Sequence, residues 1–316
     1  MVFLWIGLGL VALAGIVLLL SYIFFRKTFY LKVEDRRKLG EMKLVEGDIF
    51  YPYRETMLKW WQETQDMPHE VVTTTSFDGL KLYGNYYEYA PGAPIELMFH
   101  GYGGSGERDL CGGVQRCFSQ GRSALIVDQR ANGRCEGNVV TFGINERRDC
   151  HSWLAFIGER FGPDVKIILT GVSMGAATVL MAAAEPLPKS VVGVLADCGY
   201  SSAKSIIKKY ICDAGMPGKL SYPFVKLGAR LFGRFDLEET SPEEAVKHSK
   251  VPVLFIHGDA DHSVPCEMSR RNYEACTAPK RLCIIPGAGH CLCYVEAPEI
   301  YCMTIADFFE PLLNGQ

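Results

Sequence analysis

The first 25 residues form an unbroken apolar run, and the hydrophobic pattern changes sharply after it. Residues 2–25 contain no charged side chain. A helix of roughly 20 apolar residues is long enough to cross the hydrocarbon layer of a bilayer. The run therefore predicts a transmembrane anchor over residues 1–25. The alternative is a cleaved signal peptide ending near Ala12-Leu13-Ala14, although no positively charged region precedes the run.

Residues 26–69 are predicted to be a membrane-proximal connector. Residues 54–65 have the pattern of a helix, and Trp60-Trp61 lies either at the lipid interface or packed onto the following domain. Cytoplasmic flanks of membrane spans carry an excess of basic residues, so the basic connector predicts that the rest of the chain is cytoplasmic. The basic residues after the span are Arg26, Lys27, Lys32, Arg36, Arg37 and Lys38.

Residues 70–316 alternate short apolar runs with helical stretches, as expected of one α/β domain. Residues 71–75 and 80–89 flank an Asp78-Gly79 turn and predict a leading antiparallel hairpin. Later runs lack alternation, which is typical of parallel strands buried on both faces. These runs cover residues 95–99, 124–127, 165–169, 191–196, 251–256 and 281–285, and the predicted helices cover residues 146–161 and 174–184 and begin at Ser241.

Residues 200–240 are too long for a simple crossover and predict a helical lid above the sheet. The net charge of −3, without a basic stripe, argues against a nucleic-acid partner. Twelve cysteines without a CxxC pair do not suggest a disulfide framework and suit a reducing compartment.

Gly171-Val172-Ser173-Met174-Gly175 follows a predicted strand and opens a predicted helix. In a nucleophile elbow, a G-x-S-x-G motif places a serine on a sharp, strained turn between these two elements, and glycine neighbours avoid clashes. The motif alone arises easily by chance, so its position carries the prediction. Ser173 is the candidate nucleophile.

A serine hydroxyl needs a general base and an acid that orients the base. His290, in the loop after the last predicted strand, is the candidate base. Asp261, in the loop after residues 251–256, is the candidate acid. Asp197 and Asp259 remain open as alternatives, because each also follows a predicted strand.

An oxyanion intermediate needs two N–H donors, and the sequence suggests the backbone amides of Tyr102 and Met174. His100 is expected to be structural, and a buried Asp128–Arg130 pair is expected to hold nearby loops. Cys291 and Cys293 flank a leucine after His290, but no second ligand pair is apparent, so no metal site is expected.

These motifs, taken together, resemble the α/β-hydrolase superfamily over residues 70–316. The matching segments are H-G-x-x-G at 100–104, G-x-S-M-G at 171–175, G-x-x-D-x-x-V-P at 258–265 and G-x-G-H at 287–290. Residues 128–137 are similar to a run in membrane-anchored bacterial hydrolases, eukaryotic α/β-hydrolase-domain proteins and cinnamoyl esterases. Ala131 and Cys135 replace a glycine and a serine of that run, so it is assigned no role. The resemblance implies carboxylic-ester hydrolysis, with Asp261 as the acid and residues 200–240 as a cap.

The sequence therefore predicts an α/β-hydrolase fold that carries a membrane-anchored carboxylesterase or acyl hydrolase and needs no cofactor. Its substrate would be a small-molecule or lipid acyl ester, and its oligomeric state stays open. A serine peptidase of the same fold is an alternative, although no propeller-sized domain is present. A non-catalytic membrane-tethered binding protein is another, although all three triad candidates are retained.

Overall fold

The computed structural model describes residues 1–34, 42 and 44–315. Arg36, Arg37 and Lys38, which contributed to the predicted orientation, lie outside the described residues, as does part of the predicted connector. The strands are β1 (Glu70–Thr75), β2 (Lys81–Tyr87), β3 (Ile95–Phe99), β4 (Ser123–Val127), β5 (Ile167–Val172), β6 (Val191–Asp197), β7 (Val253–Gly258) and β8 (Lys280–Ile285).

Twelve α-helices are found in the described part of the chain, together with a 3₁₀ turn at Tyr51–Tyr53 and a π-helical segment at Ala229–Gly233. The α-helices are α1 (Val2–Thr28), α2 (Arg54–Asp66), α3 (Gly106–Asp109), α4 (Gly113–Ser119), α5 (Glu146–Phe161), α6 (Met174–Ala182), α7 (Ala203–Asp213), α8 (Gly218–Gly228), α9 (Pro242–Ala245), α10 (Glu267–Ala275), α11 (Cys293–Glu296) and α12 (Pro298–Leu313).

All eight strands form one sheet in the order β1-β2-β4-β3-β5-β6-β7-β8. The β1–β2 and β2–β4 pairs are antiparallel, and the pairs from β4 to β8 are parallel. The predicted leading hairpin and the mostly parallel sheet are therefore confirmed. Parallel order brings the carboxyl ends of β3 to β8 to one edge, where loops can bring their side chains together.

Helices cover both faces of the sheet, which explains why the central strands lack alternation. On one face, Leu169 of β5 packs in a core with Trp153 of α5 and Leu180 of α6. On the other face, Ile168 of the same strand packs in a core with Phe309 of α12.

A buried charge cluster lies within the otherwise apolar β3. Glu96 is fully buried and accepts hydrogen bonds from Arg116, Arg122 and the hydroxyl of Thr170. Burial by itself would raise the pKa of Glu96, but the two guanidinium groups outweigh burial and lower the pKa to about 2. The carboxylate stays ionised and ties β3 to α4 and β5 beneath the predicted oxyanion loop.

The lid predicted at residues 200–240 contains α7, α8 and the π-helical segment. The described residues include one helix, α1, that is long and apolar enough to cross a membrane. Its last turns contact the lid, and Ser21 and Phe25 are buried there. Phe29, directly after α1, is fully buried and packs edge-to-face against Phe142 and Phe235.

The connector also packs onto the domain. The predicted helix at residues 54–65 is confirmed as α2, and Trp60 stacks on Tyr294 with ring centres 4.9 Å apart. This contact favours packing over a lipid-interface role for Trp60. The helix predicted to begin at Ser241 is confirmed as the single turn α9, with the Ser241 hydroxyl accepting the Glu244 N–H.

Candidate active site

Ser173 occupies a strained turn between β5 and α6. Its φ of +56° and ψ of −114° lie outside the helical and extended regions that ordinary residues adopt. A Cβ atom on Gly171 would overlap the backbone carbonyl of Gly175, and one on Gly175 would overlap the carbonyl of Phe99. Positions 171 and 175 therefore both require glycine for the turn to close, as expected of the motif.

The structure brings Ser173, His290 and Asp261 together in one hydrogen-bonded chain. His290 Nε2 lies 3.0 Å from Ser173 Oγ, and His290 Nδ1 lies 2.6 Å from Asp261 Oδ2. The three residues come from the loops after β5, β8 and β7, at the carboxyl edge of the sheet. Asp261 Oδ1 accepts the N–H groups of Ser263 and Val264, each at 2.8 Å, and these bonds fix the carboxylate with Oδ2 toward His290.

The charges of the hydrogen-bonded residues Ser173, His290 and Asp261 suit proton transfer. Burial alone would raise the pKa of Asp261, but hydrogen bonds from His257 and His290 hold the pKa well below its usual range. Burial would lower the pKa of His290, but the neighbouring Cys198 and Asp261 outweigh burial and raise it above the ordinary value of 6.5. Because Asp261 is an acceptor, the neutral imidazole carries its proton on Nδ1, and Nε2 is free to accept the Ser173 proton.

The two alternative acids have other partners. Asp197 Oδ2 accepts the Tyr301 hydroxyl at 2.9 Å, and burial raises the pKa of Asp197. Asp259 Oδ1 accepts the Gly287 N–H at 2.7 Å. Of the three carboxylates, Asp261 is the one that hydrogen-bonds His290.

The amides predicted for the oxyanion are both available. Within the described part of the chain, the N–H groups of Tyr102 and Met174 have no backbone or side-chain acceptor. A Cβ on Gly101 would lie 3.6 Å from Ser173 Cβ, which places the Tyr102 loop directly beside the serine. Met174 begins α6, so its N–H points from the positive end of that helix.

Two further expectations have different outcomes. His100 is structural, as expected: it is fully buried, and its Nε2 accepts the Gln129 N–H at 2.9 Å. The expected Asp128–Arg130 pair is wrong. The partners of Arg130 are Asp78 and Asp149, and Asp128 accepts from Arg134 instead. The Arg130 guanidinium reaches the hairpin turn and α5. The sequence alone does not show that these two elements lie beside Arg130.

The sequence assigned no part in the site to three neighbours of the triad, which are His257, Cys198 and Cys291. His257 Nε2 lies 3.1 Å from Asp261 Oδ2 and 2.8 Å from the Val264 carbonyl oxygen, and its Nδ1 contacts the Ser269 hydroxyl. His257 thus holds the acid loop from beneath, and its position just before that loop was the available signal.

Cys198 and Cys291 place their sulfur atoms 3.5 Å apart beside His290. No sequence signal links these cysteines, because they follow different strands. Their sulfur atoms and a His290 nitrogen lie within 4.8 Å of one another. Both His290 nitrogens already bond Asp261 and Ser173, and burial raises the pKa of Cys198, so a cation would have to displace protons and break the triad contacts. All twelve cysteines are free thiols in the structure.

A cavity of about 810 Å³ opens beside Ser173 and is lined mainly by apolar side chains. Its size falls within the roughly 300–1,000 Å³ typical of small-molecule sites. Gly101, Tyr102, Met174 and His290 line it, so a molecule in the cavity contacts the serine, the base and the oxyanion loop together.

The chain matches a known protein family and is similar in sequence to a bacterial protein. Residues 97–302, more than half of the chain, match the model of the "Alpha/beta hydrolase family". Uncharacterized protein YqkD of Bacillus subtilis is 26% identical over 191 residues, covering 60% of this chain and 63% of YqkD, less than two thirds of its length.

Solved structures share the architecture at low sequence identity. The Pyrococcus furiosus esterase Pf2001 superposes with a TM-score of 0.62 at 20% identity, covering 86% of this chain and 97% of the esterase. The Pyrococcus horikoshii acylaminoacyl peptidase superposes with a TM-score of 0.58 at 18% identity, covering 80% of this chain and 43% of the peptidase. At these identities the likeness establishes the fold alone, and both an esterase and a peptidase share it.

Proposed function

The chain belongs to the alpha/beta hydrolase family, and we propose that it is a membrane-anchored serine hydrolase that cleaves carboxylic esters through an acyl-enzyme on Ser173. The observation that carries this proposal is the continuous chain from Ser173 Oγ through His290 to Asp261, with distances of 3.0 and 2.6 Å. Each contact lies within hydrogen-bond reach for a nucleophile, its base and the group that orients the base.

In the proposed reaction, His290 Nε2 takes the Ser173 proton as Oγ attacks the carbonyl carbon of the ester. The carbonyl oxygen becomes an oxyanion and accepts hydrogen bonds from the amides of Tyr102 and Met174. The carbon–oxygen bond of the ester then breaks, and the alcohol leaves with the proton from His290. Water, deprotonated by His290, attacks the acyl-enzyme, releases the acid and restores Ser173. Asp261 stays ionised and stabilises the imidazolium in both halves.

We propose that α1 is a retained anchor. Packing supports retention, because Ser21, Phe25 and Phe29 are buried in the hydrolase domain and their removal would expose its core. Arg26, Lys27 and Lys32 follow the apolar run, and this excess of basic residues supports a cytoplasmic hydrolase domain. Arg26 stacks on Tyr30 at 3.9 Å, which holds a positive charge at the end of the span.

Fluorophosphonate labelling and ester turnover by the full chain test this proposal. Ser173→Ala should abolish labelling and lower kcat on p-nitrophenyl acetate by roughly 10⁴–10⁶-fold, the usual cost of removing a triad serine. Ser263→Ala, a nearby serine outside the triad, is the matched control and should retain both. Undiminished labelling of Ser173→Ala would refute the assignment.

A parallel panel of aminoacyl amides separates an esterase from a peptidase. The proposal expects turnover of p-nitrophenyl esters to exceed that of the amides, and the reverse preference would favour the peptidase alternative.

A further inference from the structure

The cavity beside Ser173 is walled in part by the helix proposed to cross the membrane. The end of α1 contributes Phe24, Lys27 and Thr28. Lid helix α7 contributes side chains at helical spacing, and the connector contributes a third wall. The α7 residues are Ile206, Ile207, Tyr210 and Ile211, and the connector residues include Phe50 and Met57.

Helix α1 and the lid are packed as one unit. A Cβ on Gly228 of α8 would overlap the Ser21 carbonyl of α1, so the two backbones lie in direct contact. Phe24 stacks on Phe224 with ring centres 6.4 Å apart, and Phe25 packs against Phe232 at 5.8 Å. The last turns of α1 therefore line the cavity, and the same helix continues into the apolar stretch proposed to cross the membrane.

The lid exposes large apolar side chains beside this junction. Leu220 is 72% exposed and lies one helical turn from Phe224, which contacts α1. Leu231 is 47% exposed and adjoins Phe232, which contacts Tyr22 with ring centres 5.2 Å apart. We call Leu220 and Leu231 the lid surface. Apolar side chains next to a membrane helix are favourable when they enter the bilayer interface and unfavourable when they face water.

The route to the cavity determines which esters can reach Ser173 without a large free-energy cost. Drawing an acyl chain out of a bilayer into water has a free-energy cost that grows with every methylene. Passage from lipid into an apolar cavity replaces one apolar environment by another and avoids that cost.

We propose that the ester hydrolysed at Ser173 belongs to a membrane lipid whose acyl chain passes from the bilayer along the last turns of α1 and lid helix α7 into the cavity. This inference rests on the proposed function and names its substrate class. The chemistry is that of ester hydrolysis: Ser173 Oγ bonds to the acyl carbon, the lipid alcohol leaves with the His290 proton, and water releases the fatty acid.

The full chain reconstituted in phosphatidylcholine vesicles allows a direct test with two substrates. Monooleoylglycerol resides in the bilayer, and p-nitrophenyl acetate dissolves in water. The test variant is Leu220→Asp/Leu231→Asp, whose side chains do not line the cavity. The matched control is Ile300→Asp/Met303→Asp on α12, where the two residues are 48% and 59% exposed.

The lid-surface variant should lose roughly tenfold or more in monooleoylglycerol turnover, because charged residues disfavour contact with lipid. Its acetate turnover should stay within about twofold, as expected of exposed substitutions away from the site, and the control should keep both activities. Equal lipid turnover by the lid-surface variant and the control would overturn the inference. Acetate turnover without any Ser173-dependent lipid turnover would also overturn it while leaving the proposed function standing. If the unsubstituted chain hydrolysed neither monooleoylglycerol nor p-nitrophenyl acetate, the proposed function itself would be refuted.

Discussion

Two regions meet at the cavity beside Ser173, and they are built in different ways. The catalytic loops place three polar side chains after strands β5, β7 and β8, joined by hydrogen bonds of 3.0 and 2.6 Å. The junction of α1 with the lid joins residues about 200 positions apart in the chain through apolar contacts such as Phe25–Phe232. We propose that the first region hydrolyses the ester and that the second selects which ester reaches Ser173.

The largest expected effect lies in the catalytic loops. Asp261→Asn should lower kcat by roughly 10⁴-fold on every ester, because the amide cannot hold the His290 tautomer in which Nε2 accepts the serine proton. Asp197→Asn is the matched control, since Asp197 bonds Tyr301, and should change kcat far less. Turnover of acetate and oleate esters by both variants checks this. Greater loss in Asp197→Asn would transfer the role of the acid to Asp197.

A second prediction tests whether the end of α1 is part of the domain core. Phe29→Ala should lower the free energy of unfolding by about 3–5 kcal/mol, the usual cost of truncating a buried phenylalanine. Phe3→Ala, at the exposed far end of α1, should change it little. Denaturant midpoints of the two variants in the same detergent give the comparison. Equal midpoints would mean that α1 is only a tether, and the contrast between the two regions would disappear.

The sequence predicts a region well when the constraints on that region are local in the chain. The turn at Ser173 is predictable because its constraints are local: a strand, two glycines and a helix within a few residues. The positions of Asp197, Asp259 and Asp261 after strands favoured Asp261 as the acid but left the other two open. The structure separates them because Asp261 Oδ1 is held by the amides of residues 263 and 264 while Oδ2 faces His290.

The packing of α1 against the lid was not predictable for a physical reason. An apolar stretch such as residues 2–25 has the same pattern whether its end contacts lipid or protein, because both surroundings are apolar. The need for Gly228 beside Ser21 arises only from the close approach of two helices. The Arg130 partners, Asp78 and Asp149, likewise depend on how the hairpin and α5 are placed in space.

The pH dependence should distinguish the two regions, because the neighbouring Cys198 and Asp261 raise the pKa of His290. His290 must be neutral to accept the serine proton, so its raised pKa predicts that kcat/KM falls, as pH is lowered, around a midpoint above 6.5. In Asp261→Asn the carboxylate no longer favours the imidazolium and burial does disfavour it, so the midpoint should move lower. The lid variant Leu220→Asp/Leu231→Asp should keep the original midpoint. A midpoint unchanged in Asp261→Asn would contradict the contact on which the mechanism depends.

The smallest expected effect concerns selection among esters by the lid. Tyr210 of α7 lines the cavity, and burial raises its pKa to about 12, so it presents a neutral ring to the cavity. Tyr210→Ala should raise KM for oleoyl esters by roughly tenfold through lost apolar contact, while KM for acetyl esters should change less, because an acetyl group buries little apolar surface. Tyr89→Ala, which removes a half-exposed tyrosine that packs on Phe118 outside the cavity, is the control.

The ratio of KM values for the two chain lengths is the informative measurement, because a general loss of folding would lower both activities together and leave that ratio unchanged. An unchanged ratio in Tyr210→Ala would mean that the acyl chain does not lie along α7, and the division between a region for chemistry and a region for selection would have to be redrawn.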